Sequence, residues 1–177
     1  MAQVPTPASL AAINDMDEAA FVGLLGGVFE HSPWVARAAW PARPFAGVDE
    51  LHRAMADVLE TADESLKLAL LRAHPELAGR EAEDGTLTES STVEQKGAGL
   101  SALTHEEAVR IKALNAAYRE RFGFPFIIAV RNHTKDSIFG ELERRLGNDP
   151  ATELANDLQQ VLIITRLRLD ELVAGAP

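Results

Sequence analysis

Three groups of residues in this chain could carry chemistry. His74 stands where an apolar helical stretch meets Pro75. A histidine there can cap the helix C-terminus, where the helix dipole favours its charge, or act as a general acid or base, because imidazole titrates near neutral pH. Ser91, Glu94 and Gln95 recur at i, i+3 and i+4, along one face of a short helix. They present a hydroxyl, a carboxylate and an amide, a set suited to a small polar heterocycle. The competing reading is a solvated helix start in which Ser91 caps and Glu94 completes a capping box. Arg131 could clamp a carboxylate or a urea carbonyl through its forked donors, or serve a surface ion pair.

Arg131 closes the run Phe122-Gly123-Phe124-Pro125-Phe126-Ile127-Ile128-Ala129-Val130, whose apolar residues are not spaced like a helix. Gly123 suits a helix end, Pro125 cannot donate to a helical ladder, and Phe, Ile and Val favour a pleated backbone. The spacing predicts extended chain over 124–130, yet no second strand is present to pair with it. Its backbone groups must therefore find partners elsewhere, either as a buried connector between helices or by offering themselves to a ligand.

Other chemistries find little support. His31, His52, His74, His105 and His133 form no helical metal pair, and no calcium-loop or Gly-rich phosphate signature occurs, so no metal site is expected. Gly23, Gly26 and Gly27 fall inside a helical period, which points to close helix packing. Without cysteine there is no disulfide, zinc-thiolate site or thiol nucleophile. A net charge of −10 argues against an extended nucleic-acid footprint. No apolar run reaches membrane-spanning length. Met1-Ala2-Gln3-Val4-Pro5 lacks the pattern of a signal peptide, and Gly175-Ala176-Pro177 is no peroxisomal address, so a cytoplasmic location is expected.

The elements that must position these groups read as helices. Ser9 is suited to cap a short helix through Ile13; Asp15 and Glu18 resemble a capping box before Phe21, Leu24, Leu25 and Val28, a helix expected to stop near His31-Ser32-Pro33. Trp34 to Trp40 forms a short segment, Asp49 opens a helix through Leu59, and Glu64 to Ala73 turns Leu66, Ala69, Leu70 and Leu71 inward. Residues 76–90 read as a loop. Thr104 with Glu107 makes the clearest capping box, Thr134 can cap the next helix, and Asp149-Pro150 starts a last one carrying Leu154, Leu158, Val161, Leu162, Thr165, Leu169 and Leu172. At 177 residues, 46% hydrophobic and 25% charged, the chain suits one globular all-α domain over 1–177, a helical bundle interrupted by the extended segment.

Four stretches in order give this chain a resemblance: Phe29-Glu30-His31-Ser32-Pro33-Trp34-Val35, Ala73-His74-Pro75-Glu76-Leu77-Ala78-Gly79, Ser91-Thr92-Val93-Glu94-Gln95, and Phe122 to Arg131. Together they resemble the OHCU decarboxylase family, from about Phe21 to the last helix. The resemblance implies an all-helical, usually dimeric enzyme that decarboxylates 2-oxo-4-hydroxy-4-carboxy-5-ureidoimidazoline to (S)-allantoin in purine breakdown, without cofactor or metal. It implies His74 as the catalytic histidine with Glu94 as its acidic partner. It also implies that Pro75, Ser91, Gln95, Arg131 and the main chain of Phe126, Ile127, Ile128, Ala129 and Val130 meet the substrate. Two positions depart from the family pattern: Glu76 replaces the usual aspartate, and Asn132 stands where glycine is usual. Asparagine tolerates left-handed backbone, so the turn is expected to survive. The rival readings are an isomerase or hydrolase of a related ureide, and a non-catalytic helical module that docks a partner on an exposed 124–130 edge.

Overall fold

Side chains that accept an otherwise orphan amide mark most helix starts in the computed structural model, which describes residues 7–175. In chain order the helices are α1 (Leu10–Asp15), α2 (Glu18–Leu25), α3 (Trp34–Ala39), α4 (Val48–Thr61), α5 (Glu64–Arg72), α6 (Arg80–Glu83), α7 (Glu89–Gly97), α8 (His105–Phe122), α9 (Lys135–Arg145) and α10 (Pro150–Leu172). Ser9 caps α1, accepting from the Ala12 amide at 3.2 Å. Thr104 and Glu107 form the expected reciprocal box at α8, and Thr134 caps α9. Asp149 caps α10 by accepting from the Thr152 amide at 3.0 Å. Gly123 ends α8 in the left-handed region (φ 80°), where glycine pays no steric penalty. The fold is all-α, as expected. Among the described residues the only strands are β1 (Ala8–Ser9) and β2 (Val173–Ala174), paired parallel.

Some boundaries differ from the sequence expectations, each for a local reason. Asp17, not Asp15, caps α2, accepting from the Ala20 amide at 2.8 Å. Helix α2 stops at Leu25, short of His31. Close approach holds at Gly26 alone, where an added Cβ would lie 2.5 Å from the Val22 carbonyl; Gly23 and Gly27 face open space. Helix α5 buries Leu70 and Leu71, but Leu66 is 44% exposed and Ala69 is exposed too. One helical turn, α6, interrupts the expected 76–90 loop. The expectations drawn from Met1–Pro5 and from Ala176-Pro177 concern residues outside those described, apart from Gly175.

The described residues form two compact units, one running to Leu70 and resuming at Leu162, the other Leu71–Val161. In the first, Phe21, Leu25, Leu51, Met55, Leu59 and Leu169 are among the fully buried apolar side chains. The Phe29–Val35 stretch belongs there, with Glu30 buried in an ion pair to Arg168 at 2.8 Å. In the second, Ile111, Tyr118, Phe124, Phe126, Ile138 and Leu142 build the core. The run after Gly123 is neither helix nor strand through Ala129, as expected; Val130 already belongs to a 3-10 turn over Val130–Asn132. Asn132 needs no left-handed geometry, since His31 and Ala78 are the only non-glycine residues with positive φ among those described.

Candidate active site

Every residue singled out from the sequence for chemistry lies in the Leu71–Val161 unit. Helix α5 ends at Arg72, and Pro75 bars its continuation. The His74 amide closes the end by donating to the Leu71 carbonyl at 3.1 Å. His74 is buried, at 7% exposure, with Pro75 half-buried beside it. The loop then doubles back tightly: Ala78 sits at φ 47°, and an added Cβ on Gly79 would lie 2.7 Å from Glu76 Cβ. Three side chains hold this turn. Asn115 Nδ2 donates to the Leu77 carbonyl at 2.9 Å. Arg119 pairs with Glu76 at 3.0 Å. Gln95 Oε1 accepts from the Ala78 amide at 2.9 Å, while its Nε2 meets the Glu76 carbonyl at 3.5 Å.

Gln95 is on α7, and the cap of α7 decides which way that helix faces. Thr88, not Ser91, is the N-cap, accepting from the Ser91 amide at 3.3 Å. With capping done by Thr88, Ser91, Glu94 and Gln95 form the buried face of α7 together, so the solvated helix start is ruled out. From the same face Glu94 Oε1 lies 3.7 Å from Arg131 Nη2 in the 3-10 turn. The His74 loop, α7 and the turn after the extended run are thus brought together by Gln95 on one side and Glu94 on the other.

The extended run uses its backbone on alternate sides, as pleated geometry dictates. The Ile127 amide donates to Asp157 Oδ1 at 3.1 Å, and the Ala129 amide to Gln160 Oε1 at 2.9 Å. The Ile127 carbonyl accepts from Arg145 Nη1 at 2.9 Å. The Ala129 and Val130 carbonyls accept from the Asn132 and His133 amides. Among the described residues, the amides of Ile128 and Val130 meet no acceptor. The side chains of Phe124 and of Phe126 to Val130 are buried, so no exposed edge is offered to a protein partner.

Behind the run lies a buried polar cluster that sequence reasoning missed. Arg145 donates to Glu153 at 2.9 Å and to Asp157 at 2.6 Å, all three sealed from solvent. The Tyr118 hydroxyl donates to Glu153, and the Arg145 guanidinium lies over the Phe126 ring. Two carboxylates share one guanidinium, so they titrate apart. Burial pushes the Asp157 carboxyl up to about 7. Burial also acts to raise Glu153, but hydrogen bonds from Tyr118, Asn148 and Asn156, together with the Arg145 charge, outweigh it and hold Glu153 low. The missed signal was a polar stripe, Glu153, Asp157 and Gln160 at i, i+4 and i+7, beside the leucines of the same helix. Leu154, Leu158 and Leu162 are only half-buried. Among the described residues no three His, Asp or Glu side chains are grouped to hold a metal ion, and no helix is long and apolar enough to cross a membrane.

Comparison with known proteins bears on this geometry. Residues 14–170 match the family model for OHCU decarboxylase. The chain is 42% identical over 163 residues to the 2-oxo-4-hydroxy-4-carboxy-5-ureidoimidazoline decarboxylase of Haloferax volcanii, covering 92% of this chain and 95% of that protein. It is 40% identical over 166 residues to the Mus musculus protein of the same name, covering 94% and 93%. Among solved structures it is similar to a crystal structure of (S)-allantoin synthase, with 31% identity and a TM-score of 0.75. That match covers 94% of this chain and 54% of the other, so the chain spans about half of that protein's length.

Proposed function

The chain belongs to the OHCU decarboxylase family, and on that ground we propose that it removes CO2 from 2-oxo-4-hydroxy-4-carboxy-5-ureidoimidazoline to give (S)-allantoin. The observation that carries the proposal is the meeting, within one unit, of the buried His74 loop, the Ser91–Glu94–Gln95 face and Arg131 beside a main chain with two amides that meet no acceptor among the described residues.

In this reaction the bond between the ring carbon and its carboxylate breaks and CO2 leaves. The substrate's own conjugated ring and carbonyls take the electron pair, which supplies the role an organic cofactor plays elsewhere. The hydroxyl-bearing carbon that lost CO2 becomes the ring carbonyl as its hydroxyl proton leaves, and one proton must reach the neighbouring ureido-bearing carbon from one face. His74 delivers it, and Glu94 orients the imidazole and faces Arg131. Arg131 engages the carboxylate or urea carbonyl with its fork. The Ile128 and Val130 amides donate to ring or ureido carbonyls within the Phe126–Val130 segment, while Ser91, the remaining Gln95 N–H and Pro75 shape the floor. A positioned acid contributes roughly 10²–10⁴-fold, and orientation much of the remainder. The same proposal places the enzyme in the cytoplasm as a homodimer acting on a small molecule, with no nucleic-acid or membrane partner and no metal. A peptide-docking module would need the 124–130 side chains exposed, and they are buried.

The test follows circular dichroism while freshly generated substrate decays, with wild type, with His74→Ala and without protein. Spontaneous decay gives racemic product, so the optical signal separates catalysis from background. Wild type should build an (S)-allantoin signal rapidly, and His74→Ala should be slowed by roughly 10²–10⁴-fold. Wild type that merely tracks the spontaneous decay would end the decarboxylase assignment. CO2 release without enantiomeric excess would end the role given to His74.

A further inference from the structure

The extended run has no partner strand, yet α10 holds it as a strand would. Asp157 and Gln160 are three residues apart and so adjacent on the face of α10. Each accepts one amide from alternate residues of the run, Ile127 at 3.1 Å and Ala129 at 2.9 Å. Arg145 from α9 takes the Ile127 carbonyl at 2.9 Å, so that residue is anchored through both backbone groups. Because extended backbone alternates, fixing 127 and 129 toward α10 turns the amide of 128 the other way, and past the bend at Ala129 the Val130 amide also meets no acceptor among the described residues. A slip of one residue would exchange the two sets. Past Ala129 the chain bends (ψ 82°) into the turn that carries Arg131, so the same anchors also set where that guanidinium starts.

We propose that Asp157 and Gln160 are positioning residues that fix the register of the 126–130 main chain, so that the Ile128 and Val130 amides and Arg131 meet the substrate together. The inference rests on the proposed decarboxylase function and adds residues that the site motifs do not contain. Neither side chain touches substrate. Their effect is on how well the heterocycle is held in the ground state and the transition state alike, and loss of such uniform binding appears in KM rather than kcat.

Gln160 is the sharper probe, being only half-buried. Gln160→Met keeps its length and removes the acceptor; Gln160→Glu keeps both length and acceptor. Each variant and wild type are assayed for decarboxylation of freshly generated substrate and titrated with (S)-allantoin, and amide hydrogen exchange is followed at Ala129. Gln160→Met should raise KM and weaken (S)-allantoin binding by about tenfold, with kcat changed less than about threefold and Ala129 exchange accelerated. Gln160→Glu should recover most of the affinity. If Gln160→Met does not fold, Gln160→Ala carries the same expectation. An active wild type alongside a Gln160→Met variant with unchanged KM and binding would overturn the positioning role and leave the decarboxylase function standing. Equal impairment by Gln160→Glu would also overturn it. A wild type that neither outpaces spontaneous decay nor binds (S)-allantoin would remove both.

Discussion

At the residue scale, Glu94 and Arg131 divide two tasks that their 3.7 Å separation could blur. In the proposed mechanism the carboxylate acts on the proton donor, while the guanidinium acts on the bound ureidoimidazoline. Glu94→Gln keeps shape and hydrogen bonding but removes charge, so it should lower kcat by roughly 10²-fold with a small change in KM. Arg131→Lys keeps charge but loses the planar fork, so it should raise KM by about tenfold with less effect on kcat. Steady-state kinetics on the two variants would check this, and a reversed pattern would mean that the roles are exchanged. Gln95 shows a different economy of side chains. Both ends of its amide already meet the main chain of the His74 loop, and only one N–H remains for a ligand.

At the element scale, α10 is the least ordinary helix, because its buried stripe begins with Glu153 and Asp157 rather than with leucines. Burying two carboxylates against one guanidinium is tolerable only when every polar atom is bonded, and no buried side-chain nitrogen or oxygen lacks a partner among the described residues. The arrangement leaves a mark on stability. Burial raises Asp157 from the ordinary 3.8 to about 7, with Arg145, Glu153 and Tyr118 facing it. Between those two values the folded carboxyl holds a proton that the unfolded chain has released. Stability therefore falls as pH rises through that window, by at most about 1.4 kcal/mol per pH unit. His52, whose imidazole burial holds below its usual value, acts in the opposite direction over part of the same range. Urea unfolding of wild type and Asp157→Asn at pH 5 and pH 7 separates the two, since the variant retains His52. The loss of stability from pH 5 to pH 7 should be larger in wild type than in the variant, and identical losses would contradict the raised Asp157.

At the scale of the whole molecule, both unit boundaries, Leu70/Leu71 and Val161/Leu162, fall inside helices α5 and α10 rather than in linkers. A helix cannot melt at one end without weakening its next turn, so we propose that residues 1–177 unfold as one cooperative domain. Scanning calorimetry should give a single transition with equal calorimetric and van't Hoff enthalpies. For a homodimer the midpoint should rise with protein concentration by mass action. Two resolved transitions would argue for independent domains, and a concentration-independent midpoint for a monomer.

Much of this architecture was legible from local chemistry. Capping pairs at Thr104, Thr134 and Asp149, the proline after His74 and the glycine after Phe122 act within a few residues of themselves, so the sequence alone determined most helix starts, the extended run and the motif residues of the proposed site. Where two candidates compete locally, only the fold could choose. Asp15 and Asp17 both suit a cap, as do Thr88 and Ser91, and the helix phase that packs decides between them. The partner of the extended run was beyond local reading altogether. A hydrophobic stripe is recognised by its spacing, but Asp157 and Gln160 turn toward the run because an amide about 30 residues away needs an acceptor. That need exists only once the chain has folded back on itself.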